Sequence, residues 1–361
     1  MKKKSPTIQD VADRAGLSKA AVSRYLNKSI RLPEETGQKI DDAVRALGYR
    51  RNSIARRLSK GGSETIGLVV PEISNTFFSE MAEAVEQTVS ERGYNLILGI
   101  SRNHPDKELG FLRWIDDSIV DGLLFVTNRP DNRRLQLDIR RYRAVVLLDE
   151  DIPGTTQDKV FCHNIEGARD ATRYLIRTGH RRIFHVTGPS SLMSVKERLE
   201  GFRLAHQEAA LPCPDTHIFH HDYTQQFGRE VARKILSSPI LPDAIFAASD
   251  YIAIGMLEEL RRNGVRVPED MSVIGFDDTS LAELVTPKLT TVRQDAAELG
   301  RIGADRLLDA IAHPEVRHGV TRIAASLVVR DSVRDRRLST RDIRPPTALS
   351  PSPEPPPKNQ S

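Results

Sequence analysis

Three sets of side chains in this sequence have the types and spacing to do chemistry. In TIQDVADRAGLSKAAVSRYLN, residues 7–27, Lys19, Ala20 and Arg24 lie on the side of a short helix opposite Val22 and Leu26. An arginine presented this way can pair bidentately with the edge of a guanine. The second set follows short apolar runs: Asn75, Phe77 and Phe78 after TIGLVV, Asp149 after AVVLL, and Asp277 and Asp278 after SVIGF. Ligands of doubly wound folds sit at the carboxyl ends of the strands, which is where such residues fall. The third is Arg198, which in KERLEGF opens a helical stretch. Each has a blander reading. The aspartates could cap the next helix, the phenylalanines could be plain core, and Arg198 could be a surface ion pair.

Local signals predict the elements that carry the first set. Thr7 and Asp10 have capping-box spacing. Gly16 falls where a first helix must stop, and glycine tolerates the left-handed conformation of such a stop. Ser18 is a good N-cap for a second helix. A third helix opens at Leu32-Pro33-Glu34-Glu35-Thr36, with proline at its first position and acids at its positive end. It runs through Ile40, Val44 and Leu47 to Gly48. The pattern fits a helix-turn-helix, whose second helix enters the major groove. A plain helical hairpin would share the periodicity but not the charge. Residues 1–60 hold 15 Lys and Arg against 6 Asp and Glu, a net of +9; the whole chain is only +4, so the rest sums to −5. A basic head on a mildly acidic body points to nucleic acid contact at one end.

From Glu64 onward, apolar runs alternate with amphipathic helical stretches: TIGLVV, YNLILGI, DGLLFV, AVVLLD, RRIFHVTG, DAIFAASD and SVIGFDD are the strands. Near-continuous apolar strands between helices predict an α/β fold with parallel sheets covered on both faces. After Thr290 a strand, a helix from Ala296 to Ala312 and further strands to Arg330 close the domain. No run of eighteen apolar residues occurs, and the lysine-rich start lacks the apolar run of a signal peptide. The two cysteines, Cys162 and Cys213, read as buried thiols of a reducing cytoplasm. No phosphate-cradling glycine motif, nucleophile elbow or zinc-type histidine spacing is present, so no catalytic residue, metal or cofactor is expected.

After the third helix comes YRRNSIARRLSKGG, a basic segment with Ala55 and Leu58 on one side. Here the chain resembles the LacI/GalR family of bacterial transcription regulators, whose pattern Y-x-x-N-x-x-A-x-x-L appears as Tyr49, Asn52, Ala55 and Leu58. The resemblance runs from about Thr7 to about Arg330. It implies a helix-turn-helix head (1–48), a hinge that becomes helical on operator DNA (49–61), and an effector-binding and dimerisation domain (62–333). That domain is similar to periplasmic sugar-binding proteins. Its two Rossmann-like lobes would be roughly 62–163 with 293–324, and 164–291 with 325–333, joined by three crossovers. Thr7, Ser18, Asn27 and Tyr49 match the family's DNA-backbone contacts. Leu58 would be a minor-groove wedge. Arg198 and Asp277 occupy the positions that hold effector hydroxyls, and their paired charge-assisted hydrogen bonds suit a polyol or sugar acid leaving water. Tyr223 matches a place where an aromatic ring stacks on the ligand. Ser249-Asp250 stands where the family often has Asn-Asp, and serine offers fewer hydrogen bonds.

Residues 345–361 are crowded with proline and serine, so the stretch from about Arg334 reads as a disordered tail without the leucine heptads that make tetramers. The expectation is a cytoplasmic, homodimeric regulator, most simply a repressor of a carbohydrate or sugar-acid catabolic operon, acting on palindromic operator DNA under a small-molecule effector. A periplasmic-type sugar-binding protein would have no use for residues 1–60, and a sugar-modifying enzyme would need catalytic motifs. Glu150 and Asp151 argue against a strongly anionic effector; Arg198 and Lys196 argue for one.

Overall fold

A computed structural model describes residues 6–26, 29–49 and 62–337. The chain divides into two compact units, Met1–Glu64 and Thr65–Ser361.

The described residues of the first unit form three helices, α1 (Ile8–Ala15), α2 (Lys19–Leu26) and α3 (Glu34–Leu47). Thr7 and Asp10 close the capping box at the start of α1, and Gly16 ends it at φ 68°. The amide of Ala21 donates to Ser18 Oγ at 3.2 Å, which caps α2. Val11, Ala12, Val22, Ile40 and Ala43 form the core, with Leu26 and Tyr49 packed against it. Pro33 stands just before α3 rather than inside it; lacking an N–H, it loses nothing in either place. The ring of Tyr25 lies so close over Gly37 that a Cβ there would stand 2.7 Å from the phenol oxygen. Tyr25 then donates to Asp41 at 3.1 Å, linking α2 to α3.

The second unit contains two parallel sheets. The larger is built from β1 (Thr65–Val70), β2 (Asn95–Ile100), β3 (Gly122–Phe125), β4 (Val145–Leu148), β5 (Asp158–Cys162) and β11 (Val320–Ile323), in the order β11-β5-β4-β3-β1-β2. The smaller has the order β7-β6-β8-β9, from β6 (Ile183–Thr187), β7 (Ile218–His220), β8 (Ala244–Ala247) and β9 (Ser272–Ile274). β10 (Thr291–Gln294) and β12 (Ala325–Val328) pair antiparallel as a ribbon of their own. The chain therefore passes between sheets after β5, after β9 and after β11, which makes two lobes with three connecting segments. Helices α4 (Thr76–Glu91), α5 (Pro105–Asp116), α6 (Arg133–Ile139) and α12 (Ala296–Ala312) accompany the larger sheet; α7 (Asn164–Arg177), α8 (Met193–Glu208), α9 (Gln225–Leu236), α10 (Asp250–Arg262) and the short α11 (Leu281–Leu284) accompany the smaller.

The apolar runs β1, β3, β4, β6 and β8 are buried throughout. β2 is not, because it is the edge of its sheet, and Ile97 and Leu98 are 38% and 39% exposed. β5 escapes an apolar reading because it begins Asp158-Lys159. Asp158 is buried there to accept the amides of His318 and Gly319 at 2.9 and 2.8 Å, which fixes β11 beside β5. Arg334 and Arg336, expected to lie in the tail, are bound to the lobe instead, since their amides donate to Ser272 Oγ and to the carbonyl of Thr178. Residues 334–337 thus belong to the lobe, held by backbone bonds that proline-poor sequence still allows. Cys162 is buried, which pushes its thiol up to about 12, and Cys213 is half-buried.

Candidate functional site

On α2, Lys19, Ala20 and Arg24 are exposed while Val22 is fully buried, so one face reads outward and the other holds the core. Thr7 and Ser18 sit at the two helix starts with exposed hydroxyls already engaged as caps. Tyr49 is half-buried against the core and its amide donates to Val44. Asn27, Asn52, Ala55 and Leu58 lie outside the described residues.

In the second unit, Phe77, Phe78, Asp149, Arg198, Tyr223, Ser249 and Asp277 all line one chamber between the two lobes. Asn75 caps α4 by accepting the amide of Phe77 at 3.1 Å, which aims the paired rings of Phe77 and Phe78 at the chamber. Asp149 follows β4 and Asp277 follows β9, at φ 65° and 122°. Positive φ at a non-glycine residue costs energy and persists where the surroundings hold it. Here it turns a carboxylate from each lobe into the same space.

Arg198 joins them. It does not open its helix; it is the sixth residue of α8 and 3% exposed. Its guanidinium lies 3.8 Å over the ring of Phe276. Nε donates to Asn164 Oδ1 at 2.8 Å, one Nη to the carbonyl of Ala248 at 2.6 Å, and the other to Gln294 Oε1 at 3.2 Å. Gln294 Nε2 donates to Asp277 Oδ1 at 3.1 Å, so one amide bridges the cation and the acid. Asp277 itself stands 3.8 Å from Arg198. Burial opposes the charge of Arg198, but Tyr223, Asp277 and Asp149 outweigh it and hold the pKa above the ordinary arginine value. Burial raises the carboxyl pKa of Asp149 and Asp277, with Arg198 opposing in both cases. Asp149 Oδ1 has no hydrogen-bond partner among the described residues. A buried acceptor left open in this way is what a ligand hydroxyl would satisfy.

Tyr223 reaches the chamber across Gly188, where a Cβ would stand 2.5 Å from the ring. Its hydroxyl is 3.4 Å from Ser194 Oγ, and burial raises its pKa. Ser249 lines the chamber but also caps α10, accepting the amide of Ile252 at 3.2 Å. The neighbouring Asp250 is fully buried and accepts from Thr279 and from Thr291 Oγ1 at 2.5 Å, which ties the 277–279 turn to β10.

Three residues weighed with these stand elsewhere. Asp278 neither lines the chamber nor caps α11; it is ion-paired with Arg293 at 2.7 Å and Arg330 at 2.6 Å. Lys196 donates to the carbonyl of Ser191 and Asp151 pairs with Lys159, both outside the lining. Gln294, Asn164 and Glu150 are the residues that sequence reasoning passed over or misjudged. Gln294 ends a strand, so the strand-end rule could have found it; Asn164 and Glu150 act only through partners far along the chain. Glu150 follows β4 in one lobe yet accepts the amides of Met193 and Ser194, and the Ser194 hydroxyl, at the start of α8 in the other. Burial, with Asp149 beside it, raises its pKa to about 8.

The inner chamber measures about 40 Å³, room for about two or three waters. It shares Glu72, Asn128 and Tyr223 with an outer chamber of about 450 Å³. Among the described residues, no group of three or more His, Cys, Asp or Glu could hold a metal ion, and no helix is long and apolar enough to cross a membrane.

A head of this kind and a two-lobed cleft of this kind recur together in known proteins. Residues 7–52 match the model of bacterial regulatory proteins of the lacI family, and residues 172–333 that of a periplasmic binding protein-like domain. The chain is 33% identical over 329 residues to the HTH-type transcriptional repressor PurR of Vibrio parahaemolyticus, covering 91% of this chain and 98% of that one. It is 34% identical over 331 residues to the ribose operon repressor of Escherichia coli, covering 90% and 99%. The chain belongs to the lacI family. Among solved structures, the lac repressor dimer bound to operator and the anti-inducer ONPF matches with a TM-score of 0.81 at 25% identity, covering 92% of this chain and 100% of that one. As a lacI-family protein it is a DNA-binding transcriptional repressor with an effector-binding domain, and such repressors bind operator DNA and small molecules.

Proposed function

We propose that this repressor controls a carbohydrate or sugar-acid catabolic operon and that its effector is a hydroxyl-rich small molecule held between the lobes. The observation that carries the reading is the cluster of Arg198, Asp149 and Asp277, one buried cation facing carboxylates from both lobes. Such a cluster offers donors and acceptors together, which is what vicinal hydroxyls need. The similarity to a ribose operon repressor supports the same class. The inner chamber is too small for a sugar ring, so binding requires the lobes to part and close again.

In this reading Phe77, Phe78, Tyr223 and Ser249 contact the effector beside the charged cluster. Lys19, Ala20 and Arg24 face bases, while Thr7, Ser18, Asn27 and Tyr49 hold the DNA backbone. Residues 49–61, with Asn52, Ala55 and Leu58, form the hinge between a head at 1–48 and the lobes, and Leu58 wedges a base step. The protein acts in the cytoplasm and catalyses no reaction. It works as a homodimer on a palindromic operator, which the exposed apolar edge of β2 favours.

The test is operator binding, on DNA selected from the source genome, by wild type, Arg198→Ala and Asp277→Ala, with and without an effector found by thermal-shift screening of sugars and sugar acids. Both variants should keep effector-free affinity and lose the response. A variant that still responds at the wild-type effector concentration rules out this cleft as the sensor.

A further inference from the structure

The two chambers of the cleft differ in charge. The inner one gathers three carboxyl groups, Asp149, Glu150 and Asp277, around a single arginine that already spends three of its N–H donors on Asn164, Ala248 and Gln294. The one place there suited to an anion, the amide-rich start of α8, is filled by Glu150. An anionic substituent entering the inner chamber would therefore face three carboxyl groups with one cation to offset them.

The outer chamber has the opposite provision. Arg102 follows β2 and Arg129 follows β3, both exposed and both lining the same wall, with the end of β1 between them. Among the described residues neither is ion-paired, whereas Arg330, for one, pairs with both Asp278 and Glu283. Glu72, on that wall, already accepts from Ser74 at 2.8 Å, and Asp222, on the facing lobe, stands beside His221. The position of Arg102 is fixed by its amide, which donates to Pro71 at 2.9 Å, and by φ 53°. Arg129 is fixed from beneath: its amide donates to Thr127 Oγ1, which donates to the buried Glu108. Two unpaired guanidinium groups on anchored loops make a fork for an anion of phosphate or carboxylate geometry.

We propose that the effector is a polyol carrying an anionic group at one end, bound with its hydroxyls in the inner chamber and its anion at Arg102 and Arg129. This rests on the cleft being the effector site. The shared chemistry is a phosphate or a carboxylate, and the probes separate them: ribose with ribose 5-phosphate, glucose with glucose 6-phosphate and with gluconate, and gluconate with 6-phosphogluconate, plus inorganic phosphate alone. Titration calorimetry on the full chain reads each affinity for wild type, Arg102→Gln/Arg129→Gln and Arg198→Ala. At least one anionic member should bind tenfold or more tighter than its parent, and more weakly as salt rises. The double glutamine variant should bring that member down to the parent's affinity and leave the parent unchanged. A phosphate-specific site ranks 6-phosphogluconate above gluconate; a carboxylate-specific one ranks gluconate above glucose and gains nothing from phosphate. Neutral parents binding as well as their anionic partners, a double variant that weakens both equally, or no binding across the panel each overturns the proposal. If the panel's best binder is unaffected by Arg198→Ala, the cleft itself is not the site; if it is lost there but indifferent to the two mouth arginines, the cleft reading stands and the anion site at Arg102 and Arg129 is overturned.

Discussion

Arg24 and Glu108 are opposite cases at the scale of a residue. Arg24 is exposed on a face whose other side is core, so its removal disturbs little but what it touches. Arg24→Ala should cost roughly 1–3 kcal/mol on the true operator and relax preference at one base pair per half-site; competition binding against operators mutated singly at each position measures this. Unchanged selectivity would remove Arg24 from base reading. Glu108 is fully buried, with one oxygen accepting from Thr127 at 2.7 Å and the other without a partner among the described residues. Burial raises its pKa from 4.5 to about 7, against the opposing pull of Thr127 and Arg129. A carboxyl whose pKa rises on folding contributes most below its unfolded pKa, and that contribution fades as pH climbs through the folded value. Glu108→Gln should therefore stabilise the protein at pH 8 relative to pH 5, by roughly 3 kcal/mol at most. Denaturation midpoints from pH 4.5 to 8 decide it, and parallel curves for the two proteins would refute the shift.

Elements, not residues, bring the cleft's groups within reach. The sixth residue of α8 meets Asp277 because β10 runs between the lobes and ends in Gln294, whose amide bridges the two. Tyr223 reaches the same chamber only because the backbone at Gly188 lies under its ring. Gly188→Ala would push that ring away, costing about 1–3 kcal/mol of stability by overpacking. It should weaken effector binding several-fold while leaving effector-free operator affinity unchanged. In a double-mutant cycle with Tyr223→Ala the two losses should be strongly non-additive. Additive losses would mean that Gly188 does something other than seat the tyrosine.

For the whole molecule, β2 is the sheet edge that a second chain would cover. An edge strand with Ile97 and Leu98 more than a third exposed invites pairing with another chain. Leu284, 76% exposed on α11, is a second apolar spot on the same unit. Replacing Ile97 and Leu98 together by lysine should give a monomer in sedimentation equilibrium with native circular dichroism. Its affinity for a palindromic operator should then fall toward that for a single half-site. A dimer that survives the double change would mean that its interface lies elsewhere.

The head was legible from its sequence because its rules are local. The capping box at Thr7 and Asp10, the stop at Gly16 and the cap at Ser18 each involve residues within four of one another. The strand-end carboxylates Asp149 and Asp277 were legible for a related reason, since a buried parallel strand must stop being apolar where it leaves the sheet. Asp278 obeyed the same local signal and yet faces Arg293 and Arg330, because the chain turns at positive φ at both Asp277 and Asp278, which sends the second carboxylate away from the chamber. Tertiary structure alone decided the rest. β5 hides behind the charges that anchor its neighbour. Glu150 crosses to the start of α8, some 43 residues on, and Arg198 finds Gln294 96 residues away. Periodicity encodes which face of an element is buried. It carries no information about which buried faces meet, because that depends on the three passages of the chain between the lobes.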